Sequence, residues 1–309
     1  TPHYEMVEHE IRHSFLEYTE LAFFLLVAMT YINALEERNV FNSLKSWLIK
    51  NQFSYRQLFW ITGVLAFFLS PLADNLTTAL VLCAVVVAVG SSSPKFVGLA
   101  CVNIVVAANA GGAFSPFGDI TTLMVWQAGQ LDFLQFFALV IPSVVNYIIP
   151  ASIMHFFVSD HKPDVAETSV TIKYGGKTII LLGLLTIVTA VSFHNFLHLP
   201  PVFGMMTGLA YLQLYSFYIK ISVKDIEEQK YDFFENVARV EWDTLLFFFG
   251  VILSVGGLGF IGYLEYVSEF MYTDLGATTA NVLVGILSAI VDNIPVMFAV
   301  LTMEPAMPD

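Results

Sequence analysis

Residues 70–80 read SPLADNLTTAL, and they lie between LFWITGVLAFFL at 58–69 and VLCAVVVAVG at 81–90. Asp74 and Asn75, with Thr77 and Thr78 just behind, therefore sit at the centre of a 33-residue apolar run. A helix that crosses a bilayer needs about 20 apolar residues, so two crossings and a turn would need more than ~40. Residues 58–90 fall short of that. They predict a hairpin that enters and leaves on one face and turns at its polar tip.

The composition supports a bilayer as the solvent of this chain. Hydrophobic residues make up 57% of 309, charged residues 13%, and the mean hydropathy is +0.72. Soluble domains run near 45–50% apolar and about 25% charged. The 26 acidic residues against 13 basic ones leave no basic stripe for nucleic acid. Cys83 and Cys101 each lie in an apolar helix candidate and read as buried thiols rather than a disulfide framework or zinc site. The chain opens on Thr1 and stops at Asp309 without a recognisable ending, so it reads as a fragment of a longer protein.

Full spans are expected at 20–36, 96–127 (interrupted), 133–157, 178–196, 202–219 and 244–262, with broken apolar stretches at 58–90 and from 277 onward. Lys and Arg concentrate in alternate loops, from Arg38 to Arg56, at Lys95, from Lys162 to Lys177 and from Lys220 to Arg239. The loops at 128–132, 197–201 and 263–276 carry none, so the basic loops are assigned to the cytoplasm. This alternation closes only if 58–90 begins and ends on the same side.

A second copy of the pattern follows. EYTELAFFLLVAMTYINALEE from Glu17 resembles EWDTLLFFFGVILSVGGLGFIG from Glu241, an offset of 224 positions. SPLADNLT from Ser70 resembles SAIVDNIP from Ser288, an offset of 218. The assigned orientations are opposite, which is the signature of inverted repeats that build ion sites from broken helices near the membrane midplane. Hairpin tips approaching from opposite faces would bring Asp74-Asn75 and Asp292-Asn293 together. A second break lies in NAGGAFSPFGDITTLMVW at 109–126, where Gly111, Gly112, Pro116 and Gly118 disfavour a continuous helix. Around it stand Asn109, Ser115, Asp119, Thr121 and Thr122. Carboxylate, amide, hydroxyl and freed carbonyl oxygens are the ligands of a hard cation. The bland reading is a kinked helix with a capping Asp.

The fold expected is an all-α polytopic membrane protein with inverted-topology repeats, re-entrant hairpins and discontinuous transmembrane helices. Residues 1–157 form a first repeat, comprising a span, the hairpin 58–90, the broken helix 96–127 and the span 133–157. Residues 158–243 supply cytoplasmic loops and two connecting spans, and 244–309 begin a second, truncated repeat.

SPLADNLTTAL, VVAANAGGAFSPFGDITTLMVWQ at 105–127 and SAIVDNIPVMFAVLT from Ser288 resemble the NhaD family of sodium/proton antiporters in the ion transporter superfamily. The two long segments from Glu17 and Glu241 extend the resemblance over essentially the whole chain. It implies exchange of cytoplasmic Na⁺ (and Li⁺) for external H⁺, a part in pH homeostasis, no cofactor, and ion-binding roles for both Asp-Asn tips and the Gly-rich break. Asp74, Asp119 and Asp292 are the candidate Na⁺ carboxylates. Such proteins carry earlier spans and a second Gly-rich break; by the repeat offset its glycines would fall near position 329, so the site in this chain is expected to be incomplete. The partners expected are the lipid bilayer and the transported ions, with a homodimer as a possible assembly and a bacterial inner membrane as the location.

Alternatives are an anion carrier of the same superfamily, for a dicarboxylate or metalloid oxyanion, and a non-transporting membrane scaffold. The candidate site offers no Lys or Arg, which disfavours an anion, and a scaffold leaves two mirrored acidic tips unexplained. No nucleotide-binding loop is present, so a hydrolysis-driven pump or other enzyme is not expected. His194 and His198 have metal-ligand spacing without a third ligand and read as an interfacial pair. Asn33 and Asn103 read as interhelical bonding groups. Glu36, Glu37 and residues 224–241 read as solvated cytoplasmic surface, and 1–17, with His3, His9 and His13, as an exposed segment.

Overall fold

The computed structural model describes residues 2–51, 53–90, 93–162, 170–222 and 231–303. Every regular element among them is helical. Among the described residues seven helices are long and apolar enough to cross a membrane: Tyr4–Glu37, Tyr55–Ala73, Pro94–Gly112, Phe133–His155, Gly176–Leu197, Pro201–Ser222 and Trp242–Phe260. The chain is an all-α polytopic membrane protein, and six of these helices fall on the spans expected from hydropathy. The chain divides into two compact units, Leu26–Val240 and Thr1–Leu25 with Glu241–Asp309.

The larger unit is organised around residues 58–90. Helix α3 (Tyr55–Ala73) and helix α4 (Asn75–Val89) are joined by the single residue Asp74. A capping box starts α3, in which Ser54 and Gln57 satisfy each other's backbone N–H groups. Helix α5 (Pro94–Gly112) begins with proline, whose missing N–H costs nothing in a first turn. It then runs parallel to α3 along its whole length. The Tyr55 and Phe96 rings meet at 4.3 Å at one end. Asn103 Nδ2 donates to the Phe59 carbonyl at 2.9 Å midway, and Ser70 Oγ donates to the Ala108 carbonyl at 2.6 Å near the other end.

Since α4 starts at the end of α3 and finishes four residues before α5 begins, it runs back antiparallel to both. Leu58, Phe59, Phe67, Leu82, Val86, Phe96 and Ile104 form the core between these helices. Residues 58–90 thus fold as a hairpin turning at Asp74. Its first arm alone has 19 residues, about 28 Å at 1.5 Å per residue. Helix α2 (Val40–Lys50) lies before the hairpin, and α6 (Ile120–Gln127), a 3₁₀ turn (Phe133–Leu139) and α7 (Val140–His155) follow α5. Helices α8 (Gly176–Leu197) and α9 (Pro201–Ser222) pack as a pair.

Two sequence expectations change here. Residues 4–17 are exposed along much of their length, but they belong to the first turns of a continuous helix α1 (Pro2–Glu37), reinforced by a 2.7 Å Glu8–Arg12 pair. Glu37 is also not simply solvated surface. Its neighbour Arg38 is fully buried, pairs with Glu37 Oε1 at 2.7 Å, and stacks 5.0 Å from the Tyr231 ring. Asn236, on helix α10 (Phe233–Ala238), donates to Glu37 Oε2 at 2.6 Å. A guanidinium can lose its water where a carboxylate and an aromatic face replace it. Burial pushes the Tyr231 phenol well above its ordinary pKa; Glu37 adds to this and Arg38 opposes it. Residues 223–230, the rest of that charged segment, lie outside the described residues.

In the smaller unit, Phe15 and Tyr18 of α1 pack against Phe249 of helix α11 (Trp242–Phe260), with ring centroids at 6.1 and 5.0 Å. Helix α12 (Tyr263–Ser268) and a π-helical turn (Glu269–Asp274) lead into helices α13 (Ala277–Ser288) and α14 (Asn293–Met303). Gly259 of α11 lies against Thr302 of α14.

Candidate ion site

The turn at Asp74 carries the first unusual geometry. Its φ of 55° and ψ of 160° lie in a region occupied almost only by glycine, at a cost of about 1–3 kcal/mol for other residues. The side chain offsets part of that cost. Asp74 Oδ1 accepts from the Thr77 backbone N–H at 2.8 Å and so caps α4. Glycine would fit this backbone conformation but could not supply the cap.

Asn75 opens α4, and its side chain reaches out of the hairpin. Nδ2 donates to Asn109 Oδ1 at 3.0 Å and also to Asp119 Oδ2. Asn109 is anchored in turn by Nδ2 donating to the Val105 carbonyl at 2.9 Å. Asp119 caps α6: its Oδ1 accepts from the Thr121 N–H at 2.8 Å and from Thr121 Oγ1 at 2.6 Å. Thr122 Oγ1 donates to the carbonyls of Ser115 and Asp119, each at 2.8 Å. The hairpin tip, the end of α5 and the start of α6 therefore converge. Asp74, Asn75 and Asp119 are half-buried, whereas Asn109 is exposed.

The break itself occupies 113–119, and Gly111 and Gly112 are the last residues of α5 rather than its interruption. Their role is close approach. A Cβ on Gly111 would collide with the backbone of Phe67, and one on Gly112 would stand 2.6 Å from the Gly118 carbonyl oxygen. Gly118 meets Gly112 from the other side, and Pro116 is buried between them in sequence. Ser115 Oγ donates to the Pro71 carbonyl at 3.1 Å and accepts from the Phe117 N–H at 3.2 Å. Hairpin and break are thus locked into one block.

Ser70 is the residue that sequence reasoning left out. It is fully buried, and its bond to the Ala108 carbonyl crosses from α3 to α5. The signal for it was present, because serine opens both copies of the S-x-x-x-D-N pattern. Thr78 Oγ1 is buried with no hydrogen-bond partner, one turn into α4.

The second tip lies in the smaller unit and is more open. Asp292 and Asn293 are both exposed, and Asp292 Oδ1 accepts from the Ile294 N–H at 2.9 Å, capping α14. His194 packs edge-on against Trp126, with centroids 5.1 Å apart. Among the described residues no group of three His, Cys, Asp or Glu side chains could hold a metal ion.

The family described as Citrate transporter (CitMHS) matches residues 9–309. The Na⁺/H⁺ antiporter NhaD of Vibrio parahaemolyticus is 55% identical, over 96% of this chain and 77% of its own length. The Na⁺/H⁺ antiporter NhaD of Vibrio cholerae serotype O1 is 53% identical, over 98% of this chain and 68% of its own. The sodium/proton antiporter 1 of Arabidopsis thaliana is 31% identical, over 98% of this chain and 53% of its own.

Proposed function

The chain belongs to the NhaD family of Na⁺/H⁺ antiporters, and on that premise we propose that it exchanges cytoplasmic Na⁺ (or Li⁺) for external H⁺ as a secondary active transporter. The observation that carries this reading is the meeting of Asp119 with Asn75 and Asn109 where α5 and α6 are broken. A carboxylate, amide oxygens and the carbonyls at the end of α5 are hard ligands that suit a hard cation. Citrate or a metalloid oxyanion would instead meet the negative charge of Asp119, and the side chains bonded there include no Lys or Arg.

The coupling follows from charge. An unpaired carboxylate at membrane depth is costly, by several kcal/mol in many settings. A proton or a Na⁺ can each neutralise Asp119, and binding of one displaces the other. The loaded forms then carry the lower barrier to changing sides, while the empty, charged form is held back. Strict alternation of H⁺ and Na⁺ across such a step is antiport. Asp74 serves by shaping the tip, and Thr78 offers its unpartnered hydroxyl on the same helix. Asp292-Asn293, the matching dipeptide of the second repeat, supplies the second candidate carboxylate.

The hairpin α3–α4 is read as re-entrant, with both ends cytoplasmic, because the basic loops require it. The bacterial relatives support a place in the inner membrane. The reading also takes in a homodimer, which cross-linking of the full-length protein in membranes would check.

The test is ion flux in proteoliposomes that hold a pH-sensitive dye. An outward Na⁺ or Li⁺ gradient should drive proton entry, choline should not, and Asp119→Asn should abolish the response. Citrate uptake without cation-driven proton movement would overturn the proposal in favour of an anion carrier.

A further inference from the structure

We propose that the Asn75 amide is the internal stand-in for the transported cation: its N–H groups take the place between Asn109 and Asp119 that a cation would seek, and the amide rotates to become a ligand when the ion arrives. The inference rests on the antiport reading above and deepens it.

The geometry singles out Asn75 among the three side chains that meet there. Nδ2 carries two hydrogens, and it places them on two oxygens of different residues, Asn109 Oδ1 and Asp119 Oδ2. A nitrogen with two partly positive hydrogens between an amide oxygen and a carboxylate occupies the position that a cation would seek. Both acceptors are fixed from behind. Asn109 is held by its own bond to the Val105 carbonyl, which keeps Oδ1 turned to Asn75. Asp119 is held through its other oxygen by the Thr121 N–H and hydroxyl. The described bonds of the Asn75 side chain both run through Nδ2, so a turn of this amide gives up only the two bonds that the ion would replace. Its terminal torsion is broad and nearly two-fold, so half a turn exchanges Nδ2 for Oδ1 at small intrinsic cost.

After that turn, three oxygens face one point: Asn75 Oδ1, Asn109 Oδ1 and Asp119 Oδ2. The arrangement gives the exchanger two properties. The empty site is not left with two unpaired acceptors, since the amide satisfies both. The ion must also displace those bonds to enter, and their return helps it leave. Affinity is thereby held down and release is made faster.

The experiment uses the full-length protein, purified with and without ¹⁵N-asparagine labelling. Na⁺ and Li⁺ binding is measured by calorimetry, and the Asn75 side-chain amide is followed by NMR, assigned by its loss in Asn75→Asp. The expected result is a shift of the Asn75 NH₂ resonances on adding NaCl or LiCl that choline chloride does not produce. Asn75→Asp keeps oxygen ligands while removing the donors, so it should tighten Na⁺ binding about tenfold at alkaline pH and slow turnover, since a charge-assisted hydrogen bond is worth that much or more. If Na⁺ binds, Asp119→Asn abolishes the binding, and the Asn75 resonances stay put, the stand-in role is overturned while the site survives. Weaker Na⁺ binding in Asn75→Asp overturns it too, because that is what a mere tether between tip and break would show. If wild-type protein binds no Na⁺, or Asp119→Asn binds it unchanged, the site itself is wrong and this inference falls with it.

Discussion

Asp74 and Asp292 each stand at the turn of a hairpin and each cap the helix that follows, Asp74 through the Thr77 amide and Asp292 through the Ile294 amide. Their surroundings differ. Around the first tip, Asn75 bridges Asn109 and Asp119, Ser70 and Ser115 bond across to neighbouring segments, and Gly111 packs directly on the backbone of α3. Around the second, Asp292 and Asn293 are exposed, and among the described residues Ser288 bonds to Gly285 within its own helix. The same dipeptide in the same place thus acts as a cap in both hairpins, and as part of an interhelical network in one. Capping is a local property of Asp before a helix. Ligand geometry has to be supplied by a second segment.

The largest effect should separate the network from the cap. Asp119→Asn is expected to reduce Na⁺-dependent proton flux in proteoliposomes by about 100-fold or more, the scale of losing a charge–cation contact of roughly 3 kcal/mol. Asp292→Asn should cost less. An equal loss would show that the second tip does the same chemistry without such a network, and would break the contrast.

Packing gives the next comparison. Gly112→Ala places a methyl against the Gly118 carbonyl, and thermal unfolding in detergent should show a loss of about 1–3 kcal/mol. Gly285, in α13, has open space around its missing Cβ. Gly285→Ala should gain about 0.5–1 kcal/mol, since alanine favours helix over glycine. Two falling melting temperatures would mean that α13 is as tightly packed as α5.

The caps themselves should differ less. Asp292→Ala should cost about 1 kcal/mol. Asp74→Ala should cost nearer 2, because alanine inherits the positive φ as well as losing the cap. The smallest change in melting temperature is expected from Asp74→Gly, where relief of backbone strain offsets the lost cap. That variant should keep or slightly raise its stability while exchange declines. A clear fall in stability would show that Asp74 is not strained in the protein.

Much of this site could be read from residue types alone. Asp, Asn, Gly and Pro are costly inside an apolar run, so each one marked a turn, a cap or a break to within a few residues. The reading of the glycines was incomplete for the same reason. Composition says that glycine weakens a helix, but whether it is present for a bend or for a close neighbour depends on what lies beside it. Phe67 and Gly118 answered that for Gly111 and Gly112. Arg38 was missed differently: next to Glu36 and Glu37 it reads as one more charge at the end of a span. Tyr231 and Asn236, nearly 200 positions away, help to make it a buried ion pair.

The sequence by itself determined that this chain lives in a bilayer, which segments are long enough to span it, where the hairpins turn, and which family it resembles. These properties follow from apolar run length, from the cost of polar groups in hydrocarbon and from the order of motifs, all of which are written along one strand of residues. Only the tertiary structure decided that α3 and α5 run parallel and in register, that Ser70 joins them, and that Asn75 rather than Asp74 reaches Asp119. Those contacts join segments 38 and 44 positions apart. No local periodicity encodes such pairs, because they depend on which helix faces meet once the backbones have packed.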